Sequence, residues 1–120
     1  MIELTLPWPP SVNTIWRRVG SLTLLSEKGR QYRQSVADQV LIQRVAGKLN
    51  DSDRLAVAIE AHAPDKRRRD LDNLPKAVLD ALTHAKVWGD DSQIDKLLIL
   101  RRANKKGGAL VVTIQKLDAQ

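Results

Sequence analysis

The chain is 120 residues long with 42% hydrophobic content, which suits one compact domain over residues 1–120 rather than two. A chain of this size buries under roughly 70% of its unfolded surface, so an open groove is expected in place of a deep enclosed pocket. Twenty Lys and Arg against fourteen Asp and Glu leave a net charge of +6 and favour a polyanionic partner; the lack of cysteine excludes disulfides and thiolate zinc sites.

No apolar run approaches the roughly 20 residues of a membrane span, and the start lacks a basic segment followed by an apolar core. A cytoplasmic protein without a membrane partner is the expectation.

Ile2, Leu4 and Leu6 alternate with Glu3 and Thr5, the pattern of a half-buried strand, which Pro7-Trp8-Pro9-Pro10 ends by removing backbone donors. Residues 11–20 read as a loop carrying Trp16, Arg17 and Arg18, and residues 21–25 as a short second strand. Ser26 is a good N-cap, and Tyr32, Val36, Val40, Leu41 and Val45 then mark the apolar stripe of a helix of about five turns. Gly47 is expected to end it.

Leu55, Val57 and Ile59 alternate with Ala56, Ala58 and Glu60, giving a strand over 54–62. Proline is tolerated in the first turn of a helix, so a second helix capped by Asp72 puts Pro75 at an acceptable third position, whereas a cap at Asp70 pushes it to the fifth. Leu74, Val78, Leu79 and Leu82 line its buried face, and it fades near His84 or Lys86. Residues 88–92 form a polar loop, and two strands over 94–102 and 109–117 are joined at 104–108 by residues suited to a tight hairpin turn. The expected fold is α+β, a two-layer domain with a mixed β-sheet and two main helices.

Chemistry concentrates in Asp65-Lys66-Arg67-Arg68-Arg69-Asp70-Leu71-Asp72-Asn73 and Lys76. In an extended segment Asp70 and Asp72 project to the same side, and hard oxygen ligands of this kind suit Mg²⁺ or Mn²⁺. The competing reading makes Asp72 a helix cap and Asp70 a solvated loop residue. Lys76, one helical turn after Asp72, is placed either to contact a scissile phosphate or to form a surface pair worth about 0.3–0.5 kcal/mol. Lys66 to Arg69 is by default a solvated basic loop; directly before two carboxylates it is also placed to hold phosphates beside a cleaved bond.

Asp90-Asp91 is a second carboxylate source, from which one side chain can reach a shared ion. It returns beside the N-terminal end of the second helix only if the following strand pairs next to the strand ending at His62. Trp8, Trp16, Trp88 and Tyr32 are the only aromatics, so no interleaved stacking platform exists; Trp88 reads as a core or loop anchor. His62 and His84 stand alone and do not suit zinc. Together these features suggest a metal-dependent nuclease, against the alternatives of a non-catalytic basic DNA-binding protein or a nuclease of other branched DNA.

The chain resembles the RusA family of Holliday-junction resolvases over essentially its whole length. The resemblance rests on residues 6–11 with Asn13, residues 64–74 with Lys76, Trp88 with Asp90-Asp91, and Lys106-Gly107-Gly108. It implies Asp70, Asp72 and Asp91 as catalytic and metal-binding acids, Lys76 as the catalytic lysine, and Asn73 as a supporting residue. Lys66, Arg67, Arg68, Arg69, Asn73 and Lys76 are the expected DNA contacts. It further implies Mg²⁺ dependence, with Mn²⁺ as a substitute, a homodimer matched to a two-fold four-way junction, and paired symmetric nicks near CC dinucleotides leaving 5′-phosphate and 3′-hydroxyl ends.

Overall fold

The structure is a computed structural model and describes residues 1–117. In chain order it contains β1 (Ile2–Leu6), the one-turn helix α1 (Val12–Ile15), β2 (Trp16–Val19), β3 (Leu22–Leu25), α2 (Glu27–Ile42), β4 (Leu55–His62), α3 (Pro75–His84), β5 (Ile94–Arg101) and β6 (Ala109–Lys116). Two 3₁₀ turns, Leu71–Asn73 and Asp91–Gln93, lead into α3 and β5. No helix among the described residues is long and apolar enough to cross a membrane.

The main sheet has the order β1-β6-β4-β5, with β4 and β5 parallel and the other neighbours antiparallel. Alternation along β4 sends Leu55, Val57, Ile59 and Ala61 to one face, and the register sets Ile59 beside Val112 and Val112 beside Leu4. Tyr32, Val36 and Val40 of α2 and Val78, Ala81 and Leu82 of α3 close the same core. Each fully buried Val, Leu or Ile among them contributes about 1.5–3 kcal/mol by leaving water. Both long helices therefore cover one face, which gives the expected α+β two-layer arrangement. The other face carries half-buried Ala56, Ala58, Val111 and Thr113 and, on β5, exposed Leu98.

Several local expectations change. Residues 11–20 are not a plain loop: they contain α1 and β2, and β2 pairs with β3 in a separate two-stranded ribbon turning at Gly20. Ser26 caps α2 as expected, its Oγ accepting the Gly29 N–H at 3.1 Å. The helix stops at Ile42, short of Val45, because Arg44 takes a left-handed φ of 57° and the Gln43 side chain turns to β1. There it accepts from the Thr5 N–H at 2.9 Å and donates to the Thr5 carbonyl at 2.8 Å, satisfying part of an edge strand. Leu41, expected inside, is 71% exposed.

The largest change concerns the last two strands. Residues 105–108 do turn, with Gly108 N–H donating to the Lys105 carbonyl at 2.8 Å, but β5 and β6 do not pair. β4 lies between them, and the connection crosses its end, held by Arg102 N–H on the Ala61 carbonyl and Lys105 N–H on the Ala63 carbonyl, both at 2.9 Å. A strand buried on one face with two open edges gains a ladder on each side by this arrangement, and a hairpin would have left one edge bare.

Candidate active site

Because β4 and β5 are parallel, both finish at the same end of the sheet, and the antiparallel β6 begins there. The exit of β1, the loop after β4 and the 102–108 crossover consequently meet. Trp8 packs on Gly108, where an added Cβ would stand 2.7 Å from the Trp8 Cβ, and Gly108 also has a φ of +74°. Both facts require glycine. Between the proline-rich segment and the basic loop lies a groove of about 590 Å³ lined by Trp8, Pro9, Pro10, Ser11 and Asn13 on one side and Arg67, Arg68, Arg69, Asp70, Asn73 and Leu74 on the other.

The basic loop has one cation fixed on several sides and three exposed ones, of which Arg67 also pairs with Asp65 at 3.6 Å. Arg69 pairs with Asp65 at 2.8 Å, donates to the Asp65 carbonyl at 3.1 Å and lies 5.7 Å from the Trp8 ring centroid. Its own carbonyl accepts from Arg101 at 2.8 Å, tying the loop to the end of β5. The Arg69 hydrogen bond, followed by the Arg67 N–H, holds the Asp65 carboxyl below the usual aspartate range. Lys66, Arg67 and Arg68 are exposed. Arg101, Lys105 and Lys106 are exposed at the same end, whereas Arg102 is engaged by Glu60 at 2.8 Å.

Asp72 is not the cap of α3, contrary to the sequence expectation. The 3₁₀ turn Leu71–Asn73 intervenes, Leu74 is the N-cap without a side-chain bond, and Pro75 takes the first helical position. Proline has no N–H to lose at that position, which makes it the most favourable choice. The 3₁₀ turn also removes the extended geometry on which a common orientation of Asp70 and Asp72 depends. Both carboxylates are exposed, and among the described residues neither accepts a hydrogen bond nor forms an ion pair. Two free hard oxygen donors beside phosphate-sized cations fit a divalent ion that keeps several waters.

Lys76 forms no pair with Asp72 or any other acid among the described residues; its Nζ stands 5.0 Å from the Trp16 ring centroid. The N-terminal end of a helix is unfavourable for a cation by about 0.3–1 kcal/mol, so helix stability does not account for this lysine. Asn73 is exposed on the groove wall.

Asp91 is elsewhere. β5 does pair next to β4, the condition set by the sequence, but in parallel: Ile94 lies opposite Leu55, at the start of β4. The Asp90-Asp91 loop therefore sits at the C-terminal end of α3, separated from the basic loop by the length of β5, about 23 Å at the usual rise per residue. Within one chain, then, the structure brings together Asp70, Asp72, Asn73, Lys76 and the four basic residues, and leaves Asp91 at the opposite end. Among the described residues no three His, Asp or Glu side chains gather closely enough to hold a metal.

The Asp91 loop is rigidly built. Gln93 is buried; its Oε1 accepts from the Gly89 and Asp90 N–H groups at 2.9 and 3.1 Å, and its Nε2 donates to the Asn50 and Asp53 carbonyls at 3.0 and 2.9 Å. Asp90 caps the turn, its carboxylate accepting from Ser92 Oγ at 3.0 Å. Partial desolvation, then the hydrogen bond and charge of Asp90 and the charge of Asp80, push the Asp91 carboxyl up.

Trp88 is the anchor expected, 2% exposed with its indole N–H on Thr83 Oγ1 at 2.7 Å. His62 is structural, bonded through Nδ1 to the Ala103 carbonyl at 2.8 Å. The contact of Trp16 with Lys76 and the bonds of Gln93 to Asn50 and Asp53 escaped the sequence, because they link elements remote in the chain.

The family model described as "Endodeoxyribonuclease RusA" matches residues 7–115. The crossover junction endodeoxyribonuclease rusA of Enterobacteria phage HK97 is 41% identical over 117 residues, covering 98% of this chain and 96% of that protein. Proteins of the same description from Escherichia coli strain K12 and Enterobacteria phage 82 are each 41% identical, covering 96% of this chain and 94% of theirs.

Proposed function

The chain belongs to the RusA family of endodeoxyribonucleases, and on that premise we propose that it is a crossover junction endodeoxyribonuclease that nicks four-way DNA junctions in a Mg²⁺-dependent, paired and symmetric manner. The observation carrying this reading is the free carboxylate of Asp70 on the wall of a groove that also supplies Arg67, Arg68 and Arg69, with the exposed carboxylate of Asp72 two residues further on. Carboxylates in a DNA-binding groove repel phosphate, and only a bound cation turns that cost into an advantage.

Mg²⁺, or Mn²⁺ in its place, held by Asp70, Asp72 and Asp91 would neutralise charge on the scissile phosphate and acidify the attacking water. Lys66, Arg67 and Arg68, open to solvent, bind flanking phosphates, while Arg69, fixed by Asp65 and Trp8, sets the register of the strand in the groove. Asn73 offers an amide to the same strand. Lys76 stabilises the added negative charge as water attacks phosphorus and the bond to the 3′ oxygen breaks. The leaving oxygen takes a proton, giving 5′-phosphate and 3′-hydroxyl ends.

The distance of Asp91 from the other two acids supports a homodimer whose sites are shared. A two-fold axis perpendicular to β4 and β5 turns the unit end for end, carrying the Asp91 loop of one chain towards the Asp70 loop of its partner. The surface between these loops is suited to burial: β5 is an edge strand, with Leu98 45% exposed beside Ala58 on the open face and Leu97 41% exposed on the opposite face.

Mixing two inactive variants tests both parts. Asp70→Asn and Asp91→Asn should each lower nicking of a labelled four-way junction by more than about a thousandfold while junction binding persists. After subunit exchange, a shared site regenerates one intact centre in each mixed dimer, and single nicks return. Sites confined within a chain restore nothing. Binding without nicks by the unmutated protein under any divalent ion would leave a non-catalytic DNA-binding protein.

A further inference from the structure

Lys76 projects from the first turn of α3 with no carboxylate partner among the described residues, and the group it meets is the face of Trp16, 5.0 Å from Nζ to the ring centroid. A free lysine side chain samples many rotamers, and holding its ammonium at one place against a phosphate requires a partner that does not neutralise it. An aromatic face meets that requirement, because it attracts the cation through its quadrupole and leaves the charge available. An aspartate would not.

The ring is itself well placed to act as a wall. Trp16 closes α1, opens β2 and pairs with Leu25, which stands next to the cap of α2. Around it, Ser26 N–H donates to the Ile15 carbonyl at 2.7 Å, and a Cβ on Gly29 would strike that same carbonyl at 2.7 Å, so the α1–α2 junction is tightly packed. The Trp16 Nε1 is buried and has no hydrogen-bond partner among the described residues. A donor left unpaired in this way costs stability, and a phenyl or aliphatic side chain would avoid the cost. The indole therefore earns its place by its face.

We propose that Trp16 is a positioning residue for the cleavage step: its ring holds the Lys76 ammonium where the transition-state charge develops, and it does so without touching DNA. The proposal rests on the reading of Lys76 as the lysine of the reaction. It assigns to the β2–β3 ribbon, otherwise joined to the main sheet by no strand pairing, the task of completing the site.

Single-turnover nicking of a labelled four-way junction with Mg²⁺, and junction affinity measured by gel shift with the Mg²⁺ chelated, separate the outcomes. Trp16→Leu should slow nicking about tenfold with affinity unchanged, and Trp16→Tyr and Trp16→Phe should recover part of the rate in order of ring strength. In a Lys76→Met background Trp16→Leu should cause no further loss. Thermal melting controls for folding, and the Tyr and Phe variants, which keep the ring volume closest, carry the test if the Leu variant is destabilised. A fall in affinity parallel to the fall in rate would make Trp16 a DNA contact and overturn the proposal, as would full additivity with Lys76→Met. If Lys76→Met itself nicks like the unmutated protein, the reading of Lys76 is what fails.

Discussion

The loops at the two ends of the β4-α3-β5 unit use the same residue type in opposite ways. At the groove end Asp70 and Asp72 accept nothing, while Arg69 is held by Asp65, Trp8 and the grip of Arg101 on its carbonyl. At the other end Asp90 is spent on capping its own turn, and a buried glutamine holds the backbone. A carboxylate is free for chemistry only where the backbone donors around it are satisfied by something else. Proline provides this at the start of α3, because it has no N–H for Asp72 to cap. No such substitution exists before Asp91, so Asp90 does the capping and Asp91 projects, its carboxyl pushed up by desolvation and by Asp90.

Breaking the second loop should have the largest effect. Gln93→Leu keeps the volume but leaves two N–H groups and two carbonyls without their partners, which should cost about 3 kcal/mol in urea unfolding. If the variant also nicks far less at temperatures where it remains folded, the loop that presents Asp91 matters to the site; unchanged stability would mean the four bonds are readily replaced.

The groove end is attacked next by Gly108→Ala, which forces a Cβ against Trp8 at a left-handed backbone position and should cost about 1–3 kcal/mol. Displacing Trp8 removes the ring beneath Arg69, so junction affinity should drop together with stability. A Tm shift without any loss of affinity would show that Arg69 does not depend on Trp8.

The smallest effect is expected from Asp65→Asn. The Asp65 carboxyl has a folded pKa below its unfolded one, so its stabilisation is present above roughly pH 4, the ordinary aspartate range, and is lost as pH falls through the lowered value. The variant should melt slightly lower than the unmutated protein at pH 7, and the two should converge once the pH has fallen through the lowered value. A difference that persists in acid would mean that the role of Asp65 does not rest on its charge.

Much of the fold was legible in the residues. Alternation marked β1 and β4; β5 and β6 were also read to within a residue, Ser26 announced α2, and the glycines at 107–108 announced a turn that is present. The basic run and the two acids beside it were legible as a cluster because they are adjacent in the chain. An acid before a helix is the common signature of a cap and points to Asp72, but the preference of Pro75 for the first helical position prevails and moves the cap to Leu74.

The sequence by itself determined the elements and the neighbourhood of Asp70, Asp72 and Lys76, since periodicity, capping and short-range spacing are properties of a few consecutive residues. Only the tertiary structure decided that β6 inserts between β1 and β4, that β5 runs parallel to β4 and so carries Asp91 to the far end, and that Trp16 covers Lys76. Those outcomes depend on which edges and faces are left to be buried once all the elements exist, and no local window of the chain contains that information.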